Sequence, residues 1–198
     1  MHVSYRLLRV CSLIFVLGLG VNVSALADWR LDNTQSTINF STVKNGSVIE
    51  YHHFGNIGGS ITKGGEVSIT IDLTSVDTKI PIRDERMKKE LFVTERFPLT
   101  ILSSKVDSVM LSDMIPGKTK LLDVDFTLDL HGIKQQLAAK LQVTGLENGG
   151  LLISTTWPVD VSAEKFGLDK GIEILRDIAK LNSILLRVPV NAQLIFVK

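Results

Sequence analysis

Residues 120–144 read KLLDVDFTLDLHGIKQQLAAKLQVT, and the spacing within that stretch decides the fold. Leu122, Val124, Phe126, Leu128 and Leu130 fall on one side of an extended chain; Asp123, Asp125, Thr127 and Asp129 fall on the other. After His131-Gly132 the alternation resumes, with Leu137, Ala139, Leu141 and Val143 against Gln136, Lys140, Gln142 and Thr144. Side chains along a strand point to opposite faces in turn, so this period of two predicts a pair of half-buried antiparallel strands. The His-Gly pair between them is short enough for a hairpin turn. The face carrying the aspartates is expected to meet water rather than lipid. The apolar face must be hidden, and either a two-sheet sandwich or a closed barrel would hide it.

Working outward, the same alternation recurs at 66–73, where Val67, Ile69, Ile71 and Leu73 oppose Glu66, Ser68, Thr70 and Asp72. Further strands are expected at 29–32, 36–43, 48–54, 58–62, 99–106, 151–162 and 184–197. Turns fall between them at Asn45-Gly46, Gly64-Gly65, Pro116-Gly117 and Asn148-Gly149-Gly150. Two segments break the pattern. Residues 84–91 are dense in charge, with Met87 and Leu91 four apart, and fit a short amphipathic helix. Residues 168–181 place Leu168, Ile172, Leu175, Ile178 and Ala179 on one helical face, opposite Glu173, Arg176, Asp177 and Lys180. Such helices between strands read as lids or plugs of an otherwise antiparallel, all-β domain. Closed into a barrel of about eight strands, it would have an interior either filled or shaped for one small ligand.

The first 27 residues read differently. Arg6 and Arg9 precede an apolar run at 10–21, and Ala25-Leu26-Ala27 stands before Asp28. That order is a secretory signal peptide cleaved between Ala27 and Asp28. The run is well short of the roughly 20 residues that span a bilayer. Cleavage leaves 171 of the 198 residues, with 20 basic and 21 acidic side chains, and removes Cys11, the sole cysteine. The domain at 28–198 is therefore expected to be periplasmic or secreted, near neutral and free of thiols. A balance this even argues against a nucleic-acid partner.

Catalysis would need a nucleophile, a base and a group to orient them. The domain offers His52, His53 and His131 but no G-x-S-x-G stretch. His52 and His53 are adjacent, so on a strand they face opposite ways and cannot share a metal. No metal and no cofactor are expected. Arg83-Asp84 either fixes the first helix or meets a polar ligand head.

Several of these residues resemble the YceI-like proteins, also called polyisoprenoid-binding periplasmic proteins. The likeness begins at Trp29-Arg30-Leu31-Asp32 with Ser36 and Phe40, and continues through Phe54-Gly55-Asn56-Ile57-Gly58-Gly59. It is strongest from Ser75-Val76-Asp77-Thr78 through Arg83-Asp84 and Leu91-Phe92 to Arg96-Phe97-Pro98. Thr127 to Ile133 and Phe166-Gly167-Leu168 are similar to two further family stretches. Leu91-Phe92-Val93 stands where the family pattern has Phe-Phe-Asp, and Arg86 where many members have His. The resemblance implies an extended, lipocalin-like antiparallel barrel holding an isoprenoid or fatty-chain amphiphile in an apolar cavity. That makes the chain a carrier or reservoir rather than an enzyme. A lipid hydrolase or isomerase with His52 or His131 as base, and a ligand-free stress or interaction protein, are the alternatives. Transient membrane contact and a homodimer are left open.

In a soluble barrel the apolar alternates point inward. The residues expected to line the cavity are Phe40, Val67, Ile69, Ile71, Val124, Phe126, Leu128, Leu141, Val143, Ile153, Trp157, Leu186 and Val188. Phe92, Phe97 and Phe166 are expected near its ends, with Arg83 and Asp84 as contacts for a polar head.

Overall fold

The computed structural model describes residues 27–198, so the segment expected to be a signal peptide lies, but for Ala27, outside the described residues. Twelve strands join into eight long, bent ones. β1 (Ala27–Leu31) and β2 (Thr37–Lys44) make the first, and β3 (Val48–Phe54) with β4 (Ile57–Thr62) the second. β5 (Glu66–Asp72) and the short β6 (Val76–Asp77) make the third, and β7 (Leu99–Lys105) the fourth. β8 (Thr119–Leu130) and β9 (Ile133–Gly145) are the fifth and sixth. β10 (Leu151–Thr155) and β11 (Val159–Ser162) form the seventh, and β12 (Arg187–Val197) the eighth.

Each long strand pairs antiparallel with its neighbours in the chain. The ring closes where β12 pairs both with β1, at Arg30↔Val197 and Leu31↔Phe196, and with β2, from Val190↔Phe40 to Gln193↔Thr37. Closure removes the sheet edges that a sandwich would leave. Between Leu130 and Ile133 the chain turns through His131 (φ 55°) and Gly132 (φ 76°). Both lie in the left-handed region that a two-residue hairpin of matching twist requires.

Helices cap both ends. Pro81 opens α1 (Pro81–Arg86), where its missing N–H costs no hydrogen bond. The chain then widens into a π-helical segment, Met87–Phe92, with Met87, Leu91 and Phe92 buried. α3 (Asp169–Ile178), from the link between β11 and β12, packs on that segment through Gly171. A Cβ there would meet Glu90 O at 2.7 Å and Leu91 Cα at 2.8 Å. At the opposite end, α2 (Ser108–Ser112) is capped by Asp107, whose carboxylate accepts from the Val109 N–H at 2.9 Å. It buries Met110 and Leu111, and Met114 follows. This plug is a single turn, too short to show helical periodicity, and was not expected from the sequence. No helix among the described residues is long and apolar enough to cross a membrane.

One expected strand is two. The span 151–162 leaves its ladder at Thr156-Trp157-Pro158, because Pro158 has no N–H to give. Ile153, Thr155, Val159 and Val161 keep the inward parity on either side of the break. Trp157 does not: it swings outward and is 69% exposed.

Candidate functional site

The barrel encloses a cavity of about 490 Å³, within the roughly 300–1,000 Å³ of sites that bury a small molecule. All eight long strands contribute to its wall. Twelve of the residues expected to line it do so. Phe40, Val67, Ile69 and Ile71 come from the first and third long strands. Val124, Phe126 and Leu128 follow along β8, with Leu141 and Val143 opposite on β9. Ile153 and Val188 complete the wall, and Phe92 reaches in from the π-helical segment.

Four expected residues lie elsewhere. Trp157 is on the outer surface for the reason given above. The Phe97 ring lies over Gly132 and tilts against the His131 ring at 4.5 Å, outside the barrel wall. Phe166 is fully buried beneath the helices but does not reach the cavity. Leu186 packs against the same buried cluster from just before β12, where regular alternation has not yet begun.

The cavity has one mouth. Of its lining residues, Ile80, Ile82, Arg86, Ile178, Ala179 and Leu185 are exposed, and all six sit around α1, the end of α3 and the approach to β12. The far end is shut by the buried Met110 and Leu111. Two of the five residues in the apolar stripe on the second expected helix are thus buried (Leu168, Ile172), whereas Ile178 and Ala179 rim the mouth.

Polar side chains gather at this mouth, on a strand whose polarity is inverted. Phe40 pairs with His52, and Thr42 with Glu50, so the inward face of β3 carries Glu50 and His52. Its apolar Ile49 and Tyr51 face water, at 55% and 76% exposure. Alternation in 48–54 reveals two faces without saying which is inner; the register with β2 settles it. His52 was therefore weighed as a base but missed as a cavity residue, and Thr42 and Lys44 were missed with it.

Glu50 holds the group together. Its carboxylate accepts from Lys44 and, at 2.6 Å, from Arg83 Nη1. Burial opposes its ionisation, but Lys44 and the charge of Arg83 outweigh this and keep its pKa below the ordinary value. Arg83 Nη2 also donates to Thr78 O at 2.6 Å. Asp84 turns away from the cavity and accepts from the Thr78 N–H at 2.9 Å and from its hydroxyl at 2.5 Å. Arg83 therefore both fixes α1 and lines the cavity, whereas Asp84 only fixes the helix.

The His52 ring is buried against Phe40, with centroids 5.1 Å apart and Nε2 3.1 Å from Thr42 Oγ1. Burial first, then the Arg83 charge, pulls its pKa down to about 4, so it is neutral at neutral pH. His131 is far from any such role: its Nδ1 lies 3.3 Å from Phe166 O, and the ring is absent from the cavity wall. His53 points the other way from His52, 3.6 Å from Asp77. Among the described residues no three His, Cys, Asp or Glu side chains converge as a metal would need.

The model of the YceI-like domain matches residues 29–196. The chain belongs to the YceI-like family. A polyisoprenoid-binding domain from Saccharophagus degradans, implicated in plant cell wall breakdown, is 34% identical and has the same fold, with a TM-score of 0.84. The similarity covers 86% of this YceI-like chain and 98% of that one. BcnA of Burkholderia cenocepacia shares the fold at 16% identity and a TM-score of 0.62, over 83% of this chain and 98% of its own. No curated protein matches the sequence.

Proposed function

We propose that this YceI-like protein binds one long-chain hydrophobic ligand, an isoprenoid or fatty-chain amphiphile, inside its barrel. It acts as a carrier or reservoir outside the cytoplasm. The observation that carries this reading is the form of the cavity: mainly apolar along its length, closed at one end, and charged only at its mouth. That is the shape of a molecule with one polar end. The polyisoprenoid binding named for the Saccharophagus domain, at 34% identity, points the same way. Each buried CH₂ contributes ~0.8 kcal/mol. About ten carbons would then gross roughly 8 kcal/mol, the free energy of a micromolar complex before ordering costs are subtracted.

Binding rather than turnover is the reading the wall supports better: among the described residues His52 is its one histidine, and burial makes that ring a weak base.

Organic extraction and mass spectrometry of the protein purified from its exported form, followed by reloading with a polyprenol and a fatty acid, tests the reading. A chain-type lipid should be recovered or taken up in a one-to-one ratio. Val124→Phe, which adds bulk to the wall without charge, should keep the fold by circular dichroism and lose most of that uptake. Protein that holds no lipid and takes up neither probe would contradict the proposal.

A further inference from the structure

Every charged side chain on the cavity wall is a cation. Lys44, Arg83 and Arg86 line it, all at the mouth, and among the described residues no Asp or Glu is on the wall. Glu50 stands beside them and is shared by Lys44 and Arg83, one carboxylate for two cations. Arg86 has no ion pair or hydrogen bond with any described residue, and its neighbours Asp84 and Glu85 are engaged with Thr78 and Lys88. With Glu50 and the nearby carboxylate of Asp84 set against these three cations, the mouth carries about one positive charge in excess, that of Arg86, at the rim of an apolar tunnel.

A second observation is independent of that count. The His52 side chain is only 2% exposed, lies on the cavity wall, and its Nδ1 is buried with no hydrogen-bond partner. The Nε of Arg83 is buried and unpartnered as well. Leaving one buried polar group unmade costs on the order of 1–3 kcal/mol, so two together at one point mark a place built for a further polar group. Nε2 shares a hydrogen bond with Thr42 Oγ1 whose direction follows the ring tautomer, so Nδ1 is a polar atom open to a further partner of either kind. Arg83 Nε–H is a donor by nature. The unmet groups of fixed character at the mouth, Arg83 Nε–H and the Arg86 guanidinium, are thus donors and cations.

We infer that the mouth selects an anionic head group, a carboxylate or a phosphate monoester, on the chain whose tail lies in the barrel. The inference rests on the binding function proposed above and specifies the ligand class. A neutral alcohol or ring head would leave the excess charge of Arg86 unanswered. An oxyanion accepts from several donors at once, and each such charge-assisted bond is about twice as strong as a neutral one.

Matched pairs test it: farnesol against farnesyl monophosphate, and hexadecanol against palmitate, each titrated into the purified protein, with inorganic phosphate alone as a further arm. The anionic member of each pair should bind about tenfold tighter or more, the size of one charge-assisted hydrogen bond. Arg86→Gln should shrink that ratio severalfold, and because Arg86 is exposed and unpaired the variant should fold normally. Combining it with Lys44→Gln should shrink the ratio further. Equal affinity within both pairs overturns the head-group inference while leaving chain binding in place. Inorganic phosphate binding as tightly as farnesyl monophosphate also overturns it, since the site would then take a free anion. Failure of all four lipids to bind overturns chain binding together with it.

Discussion

At the scale of single residues, two positions depart from what their side chains prefer. Val93 ends the π-helical segment at φ 49°, ψ 54°. A β-branched residue there holds its Cβ against the following carbonyl, at a cost of roughly 1–2 kcal/mol. This is the position where the family pattern has Asp, a residue that tolerates the left-handed region. Val93→Asn should raise the unfolding free energy by about 1 kcal/mol in urea denaturation; an unchanged midpoint would show that the backbone there is not strained. The second position is His52, whose pKa falls from its ordinary 6.5 to about 4 in the folded chain. A depressed folded value means that the unfolded chain binds the proton first. The stability His52 contributes is therefore complete above about pH 6.5 and is lost as pH falls toward 4. His52→Phe should flatten the stability–pH curve in that window by up to about 1.4 kcal/mol per pH unit. Identical slopes in variant and parent would mean that His52 already titrates near its ordinary value.

Among the elements, the long strands were legible and the mouth was not. Residues 122–130 and 137–144 declare both strands and both faces because every apolar alternate there is aliphatic or aromatic and every other position polar or small. The parity that places Val124, Phe126 and Leu128 inward holds through the barrel. It fails in three places, each for a physical reason. At Trp157 a proline breaks the ladder; at Leu186 the strand has not yet begun; and on β3 the outer face is the apolar one. Phe97 and Phe166 were expected near the cavity ends and do not reach its wall, because an aromatic ring's neighbours in a loop cannot be deduced from spacing. The one-turn plug α2 gave no period to detect. The two excursions did read as helices, and their contact through Gly171 has a direct consequence. Gly171→Val should force α3 off the π-helical segment, because added atoms would meet Glu90 O and Leu91 Cα. Faster hydrogen exchange confined to 81–92 and 169–178, with β8 and β9 still protected, is the expected outcome. Uniformly faster exchange would mean that the helices are integral to the barrel rather than laid over its end.

For the molecule as a whole, closure of β12 onto β1 and β2 turns eight amphipathic strands into one container, and the helices decide which end opens. Met110 and Leu111 shut one end, while Ile82, Arg86 and Leu185 rim the other. The proposed function and head-group preference then have a ligand enter tail first, with its tail among the side chains of β7, β8 and β9 and its head at Lys44, Arg83 and Arg86. Palmitate carrying a photoreactive diazirine on its terminal carbon tests that arrangement most directly. After loading and irradiation, peptide mapping by mass spectrometry should place the crosslinks on inward residues toward the plugged end, such as Leu122, Val143 and Leu111. Labels on outward residues such as Tyr51, Leu121 and Trp157, with the interior unmarked, would contradict the account.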